Sequence, residues 1–192
     1  MEEYLIHSVK WYNFDILMMI LESSYILPRC MLKEGIVTDT NNIFNGTKYI
    51  SLTQKGGADG GRSSYDELVV DNPCLVLKRD NLDLVYPRYV DQHFVTAEEW
   101  RKIIFKDDDE RHSYYEDELQ TKNPISLKSN LVAVGLPVNY LRHNYEGITL
   151  EDTLDRVVKI LKKNNLDVPI VNSSDYNFAD NAKEIERTKI LK

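Results

Sequence analysis

The sequence predicts an α+β domain, and three observations carry the prediction. Candidate strands at residues 25–31, 48–53, 73–78 and 82–86 follow one another without an intervening helix, as do 114–121 and 131–136, whereas a doubly wound sheet alternates strand and helix. Three other stretches, 13–23, 96–105 and 149–163, carry the helical spacing of apolar residues or the residues that start a helix. A chain of 192 residues with 42% hydrophobic and 10% aromatic side chains has apolar surface enough for one core and requires no second.

Residues 4–9 read as a strand. In 13–23, Phe14, Leu17, Met18 and Leu21 fall on one helical face behind Asn13, a residue type that caps helices well. Residues 25–31 read as extended, because Pro28 lacks a backbone donor and argues against helix. The polar stretch 35–46 reads as loop. Residues 48–53 alternate, with Tyr49, Ser51 and Thr53 on one face and Ile50 and Leu52 on the other. Residues 73–78 are apolar enough for a strand buried on both faces, and 82–86 either continues it or pairs with it. Thr96 caps a helix to 105, with Glu98 and Glu99 in a first turn that favours negative charge. Residues 106–111 form a charged turn, 114–121 an extended segment, and 131–136 a further buried strand. Thr149-Leu-Glu-Asp opens an amphipathic helix to 163, its apolar face formed by Leu154, Val157, Val158 and Leu161. Residues 168–171 add an edge strand, and the polar C-terminal residues either form a surface helix or fray.

Composition narrows the function classes. No apolar run approaches the roughly 18 residues of a membrane span. The acidic start, Met1-Glu2-Glu3, lacks the basic region of a secretory signal. Both point to a soluble, cytoplasmic protein with no membrane partner. Cys30 and Cys74 are too few for a disulfide framework and too isolated for a zinc knuckle, which leaves Cys74 as a small core residue. A net charge of −7 argues against a large nucleic-acid footprint. Four of the eight glycines, Gly56, Gly57, Gly60 and Gly61, fall just ahead of Arg62. Glycine concentrated in one loop reads as a mobile flap beside a ligand site, and it is no P-loop, because no Gly-Lys-Ser/Thr follows. No metal is expected, since the histidines lack ligand spacing and the acidic run at 107–110 lacks the glycine and spacing of a calcium loop.

Carboxylates carry the sharpest chemical signal. If 114–121 is a strand, Glu116 and Glu118 share a face about 7 Å apart while Asp117 faces away. Like charges that close repel, so one is displaced in pKa or held by donors, as suits a site that stabilises developing positive charge or binds a cation. The same pair also fits a solvated edge strand that guards against aggregation.

Taken in order, these segments resemble the ADP-ribosyltransferase superfamily. His7-Ser8 in an opening strand before a helix resembles its first motif, although glycine often follows the histidine there. Tyr49-Ile-Ser-Leu-Thr resembles the second motif strand, with its tyrosine or Ser-x-Ser/Thr. Cys74-Leu-Val-Leu-Lys-Arg-Asp-Asn-Leu resembles a further core strand. Tyr115-Glu-Asp-Glu-Leu-Gln-Thr, then Pro124-Ile-Ser-Leu and Val132-Ala-Val-Gly-Leu-Pro, resemble the last motif strand and its continuation. The likeness spans roughly residues 4–140. DNA-modifying transferases of toxin–antitoxin pairs and small protein-modifying transferases are both relatives of this type.

The resemblance implies a split mixed and antiparallel β-sheet core with flanking helices over residues 1–145, and a helical extension over 146–192 packed on it. It implies NAD as co-substrate, without a metal. Breaking the nicotinamide–ribose bond passes through an oxocarbenium-like transition state, which a carboxylate stabilises as in a glycosidase. The implied roles are Glu118 as the catalytic carboxylate with Glu116 assisting, or the two exchanged. His7, with Ser8 beside it, meets a ribose hydroxyl, Tyr49 stacks on nicotinamide, and Ser51 orients NAD. Arg62 or Arg29 meets the diphosphate. The implied partners are a macromolecular acceptor, protein rather than DNA or RNA given the acidic balance, and an antitoxin or other partner protein, in the setting of a bacterial or phage toxin or effector. Two other functions fit the residues: a catalytically inactive binding or inhibitor module of the same fold, and a metal-dependent hydrolase or nuclease using Asp107, Asp108, Asp109 and Glu110 with His112.

Overall fold

The computed structural model describes residues 4–9, 14–32, 49–53, 72–87, 94–96, 118–143 and 147–174. Among them, ten strands form two sheets. The strands are β1 (Tyr4–Ser8), β2 (Tyr25–Ile26), β3 (Ile50–Thr53), β4 (Cys74–Lys78), β5 (Val85–Pro87), β6 (Phe94–Thr96), β7 (Glu118–Thr121), β8 (Ile125–Ser126), β9 (Leu131–Leu136) and β10 (Ile170–Asn172). The helices are α1 (Phe14–Ser23), α2 (Leu127–Asn130), α3 (Val138–Arg142) and α4 (Leu150–Lys163).

The main sheet runs β10-β9-β4-β1-β3-β7-β5-β6, with β2 and β8 forming the small second sheet. β10 lies parallel to β9, and the other neighbours are antiparallel. The pairing is uneven at one place. β1 pairs with β4 along its whole length, from Tyr4↔Lys78 to Ser8↔Cys74. Against β3, the one rung among the described residues is Ile6↔Thr53. Two four-stranded halves of the sheet therefore meet at β1 and β3, joined among the described residues by that rung. This is the split, mixed α+β architecture that the motifs implied.

Alternation sorts the strand residues to two faces. Leu5, Leu52, Leu75, Leu77, Leu119 and Val134 join the large apolar cluster with α1 and α4, while Ile6, Cys74, Val76, Ala133 and Val171 form a smaller cluster on the other face. β4 is buried on both sides except at Lys78, which is why its sequence reads as an unbroken apolar run. α1 buries Phe14, Leu17, Met18 and Leu21, and α4 buries Leu150, Leu154, Val157, Ile160 and Leu161. Thr149 caps α4: its Oγ1 accepts from the Asp152 N–H at 3.1 Å and donates to Asp152 Oδ2 at 2.7 Å, a cap that contributes about 1 kcal/mol. At the other end, Asn164 Nδ2 donates to the carbonyls of Leu21 and Glu22 at 2.7 and 3.3 Å, so the C-cap of α4 also closes the last turn of α1. No helix among the described residues is long and apolar enough to cross a membrane.

Two sequence expectations are corrected. Of residues 25–31, only Tyr25–Ile26 is a strand, and Arg29–Met31 is a 3-10 turn closed by the Met31 N–H on the Pro28 carbonyl at 2.9 Å. Proline does not obstruct this turn, because only its carbonyl is used. Residues 82–86 neither continue nor pair with β4: left-handed Asn81 (φ 65°) lies in the turn that follows β4, and β5 pairs with β6 and β7 in the other half of the sheet. Thr96 ends strand β6, paired with Val85. Asn13, the loop 35–46, the glycine window, the helix expected to 105, the charged turn 106–111, residues 114–117 and those after 174 lie outside the described residues.

Candidate active site

A polar stripe lies along one face of the β3–β7 pair. Register sets Ser51 opposite Gln120, Leu52 opposite Leu119, and Thr53 opposite Glu118. Leu52 and Leu119, both 0% exposed, go to the helix-covered core, so the rows Ser51–Gln120 and Thr53–Glu118 belong to the opposite face. One row beyond Ser51–Gln120 on that face stand Tyr49 and Lys122, whose ammonium sits 5.1 Å from the Tyr49 ring centroid. The stripe thus reads Tyr49–Lys122, Ser51–Gln120, Thr53–Glu118. Positions 118 and 122 are about 13 Å apart along the strand. Thr53 is buried, Gln120 is fully buried, Ser51 and Tyr49 are half-buried, and Lys122 is exposed. Ser8 shares the face of Ile6, and hence of Thr53, at the end of β1.

His7 stands at the seam of the split sheet. Past the Ile6↔Thr53 rung the ladder between β1 and β3 stops. There His7 Nδ1 donates to the Ser51 carbonyl at 3.0 Å. An imidazole has taken over a backbone acceptor that a strand partner would have satisfied. A carbonyl only accepts, so Nδ1 carries the proton and Nε2 keeps its lone pair, which is an acceptor suited to a hydroxyl. Burial pushes the imidazole below the usual histidine range, and the Ser51 bond offsets part of that shift.

This yields a pH dependence. Folded His7 is neutral where the unfolded chain takes up a proton, so its contribution to stability is intact above about pH 6.5 and is lost as pH falls below that. Wild type should therefore lose stability between pH 7 and pH 5 faster than His7→Asn, whose amide also donates to Ser51 but does not titrate. Urea midpoints at three pH values measure this, and parallel decline of the two proteins would refute it.

The structure brings His7, Ser8 and Ser51 to the seam on different faces of the sheet: alternation puts Ser8 and Ser51 on the face of Ile6 and Thr53, and His7 on the face of Leu5 and Leu75, with Glu118 one strand further across. It leaves Tyr49 at the far end of β3. Arg29 sits in the 3-10 turn; its side chain lies outside the described residues, as do Glu116, Arg62, the Glu118 side chain and the acidic run 107–110. Cys74 is the core residue expected: burial raises its thiol far above the ordinary range, against a smaller opposing effect of a Gly135 backbone hydrogen bond. Gln120 and Lys122 were not singled out from the sequence. The period of two that pairs Glu116 with Glu118 runs on through both, and that signal marks them.

No protein-family model matches the chain, and no curated protein does. Solved structures do match. The fold is similar to that of Thermus sp. 2.9 DarT in complex with NAD+, at 12% identity and a TM-score of 0.50, over 91% of this chain and 96% of that one. It is equally similar to the same protein in complex with carba-NAD+, at 13% identity and a TM-score of 0.50 over the same shares. At such identity the likeness is one of fold.

Proposed function

We propose that this chain, whose fold is that of an ADP-ribosyltransferase-like domain, transfers ADP-ribose from NAD to a macromolecular acceptor. The observation that carries the reading is the fold around the seam. A neutral imidazole fixed by Ser51 lies across one strand from Glu118, in a fold similar over nearly its full length to a protein solved with NAD+.

In this reading the nicotinamide ribose lies over the seam. His7 Nε2 accepts from a ribose hydroxyl, with Ser8 beside it, and Ser51 orients the dinucleotide. The bond from the ribose carbon to the nicotinamide nitrogen breaks, its electron pair leaves with nicotinamide, and Glu118 stabilises the positive charge left on the ribose, with Glu116 assisting. The acceptor's nucleophile then bonds the same carbon and loses its proton. Arg62 or Arg29 meets the diphosphate. A net charge of −7 favours a protein acceptor over DNA or RNA. A cytoplasmic toxin or effector, held in check by an antitoxin or similar partner, is the setting this fits.

The test is incubation with NAD labelled in its adenylate half and a cell lysate. Nicotinamide release with label in the protein fraction is expected, unchanged by EDTA. Label in nucleic acid would reassign the acceptor. Absence of both turnover and binding at millimolar NAD would leave an inactive relative of the fold.

A further inference from the structure

We draw no further inference here: the strongest candidate, the outward side of α1, where exposed Met19 stands beside the partly buried Ile16 and Ile20 and exposed Tyr25 follows the helix, is an apolar surface patch, and nothing in the structure shows what covers it.

Discussion

Glu118→Gln should abolish transfer while NAD still binds. Glutamine keeps the length and shape of the side chain and removes its charge. The position opens β7 and is held by backbone pairing to Thr53, which the substitution leaves in place, so the fold should be unaffected. What is lost is stabilisation that exists only when positive charge develops on the ribose. Losing one preorganised electrostatic partner costs roughly 10²–10³-fold in turnover. Because the interaction belongs to the transition state, the loss should fall on kcat and little on NAD affinity. Single-turnover nicotinamide release at saturating NAD, alongside NAD titration and a thermal melt, separates these quantities. Glu116→Gln should lose less, since Glu116 assists. The reverse ranking would exchange the two roles. Unchanged transfer in both variants would remove the carboxylates from the mechanism.

Much of the fold is legible where burial imposes a pattern along a single stretch of chain. α1 and α4 each bury one side against the sheet, so Phe14, Leu17, Met18 and Leu21, and Leu154, Val157 and Leu161, recur at helical spacing. β4 and β9 are covered on both faces and read as apolar runs. Elements shorter than one repeat of either pattern, such as β8, α2 and α3, leave no such trace. Partner choice is also invisible locally. Nothing within residues 82–86 says that β5 joins β7 rather than β4. The site divides in the same way. His7, Ser51 and Glu118 were legible as polar residues in motif strands. The seam that gives His7 its partner depends on β1 and β3 registering at Ile6↔Thr53 and not continuing on the His7 side, a fact about two segments far apart in sequence. Lys122 reads in sequence as an exposed lysine after a strand, and its place over the Tyr49 ring follows only from the β3–β7 register.

Cutting the chain after residue 145 should leave a product that does not fold, although the motif resemblance ends before that point. The segment beyond it buries Leu150, Leu154, Val157, Ile160, Leu161, Leu166, Ile170 and Val171, most of them in the same cluster as Leu5, Leu75 and Leu77. At about 1.5–3 kcal/mol for each fully buried side chain, their combined contribution is on the order of 10–20 kcal/mol, which matches or exceeds the whole stability of an ordinary domain. The loss is also one of pairing. β10 covers one edge of β9 through Ile170↔Val134, Val171↔Gly135 and Asn172↔Leu136, and its removal bares an apolar edge strand, a template for aggregation. Side-chain bonds go with it: Asn164 to two carbonyls at the end of α1, Ser173 Oγ to the Asn72 carbonyl at 2.7 Å, and Asn172 Oδ1 from the Val138 N–H at 3.3 Å. The last two hold the chain at the ends of β4 and β9, within the half of the sheet that carries β1 and therefore His7. Val157→Asp makes the same point with a single substitution, since it places an unpaired carboxylate at a position 0% exposed. Both proteins should lack a cooperative urea transition by circular dichroism, and the truncated chain should aggregate. A truncated chain that unfolds cooperatively near the wild-type midpoint would show instead that residues 1–145 form a self-sufficient domain, with α4 and β10 as an accessory to it.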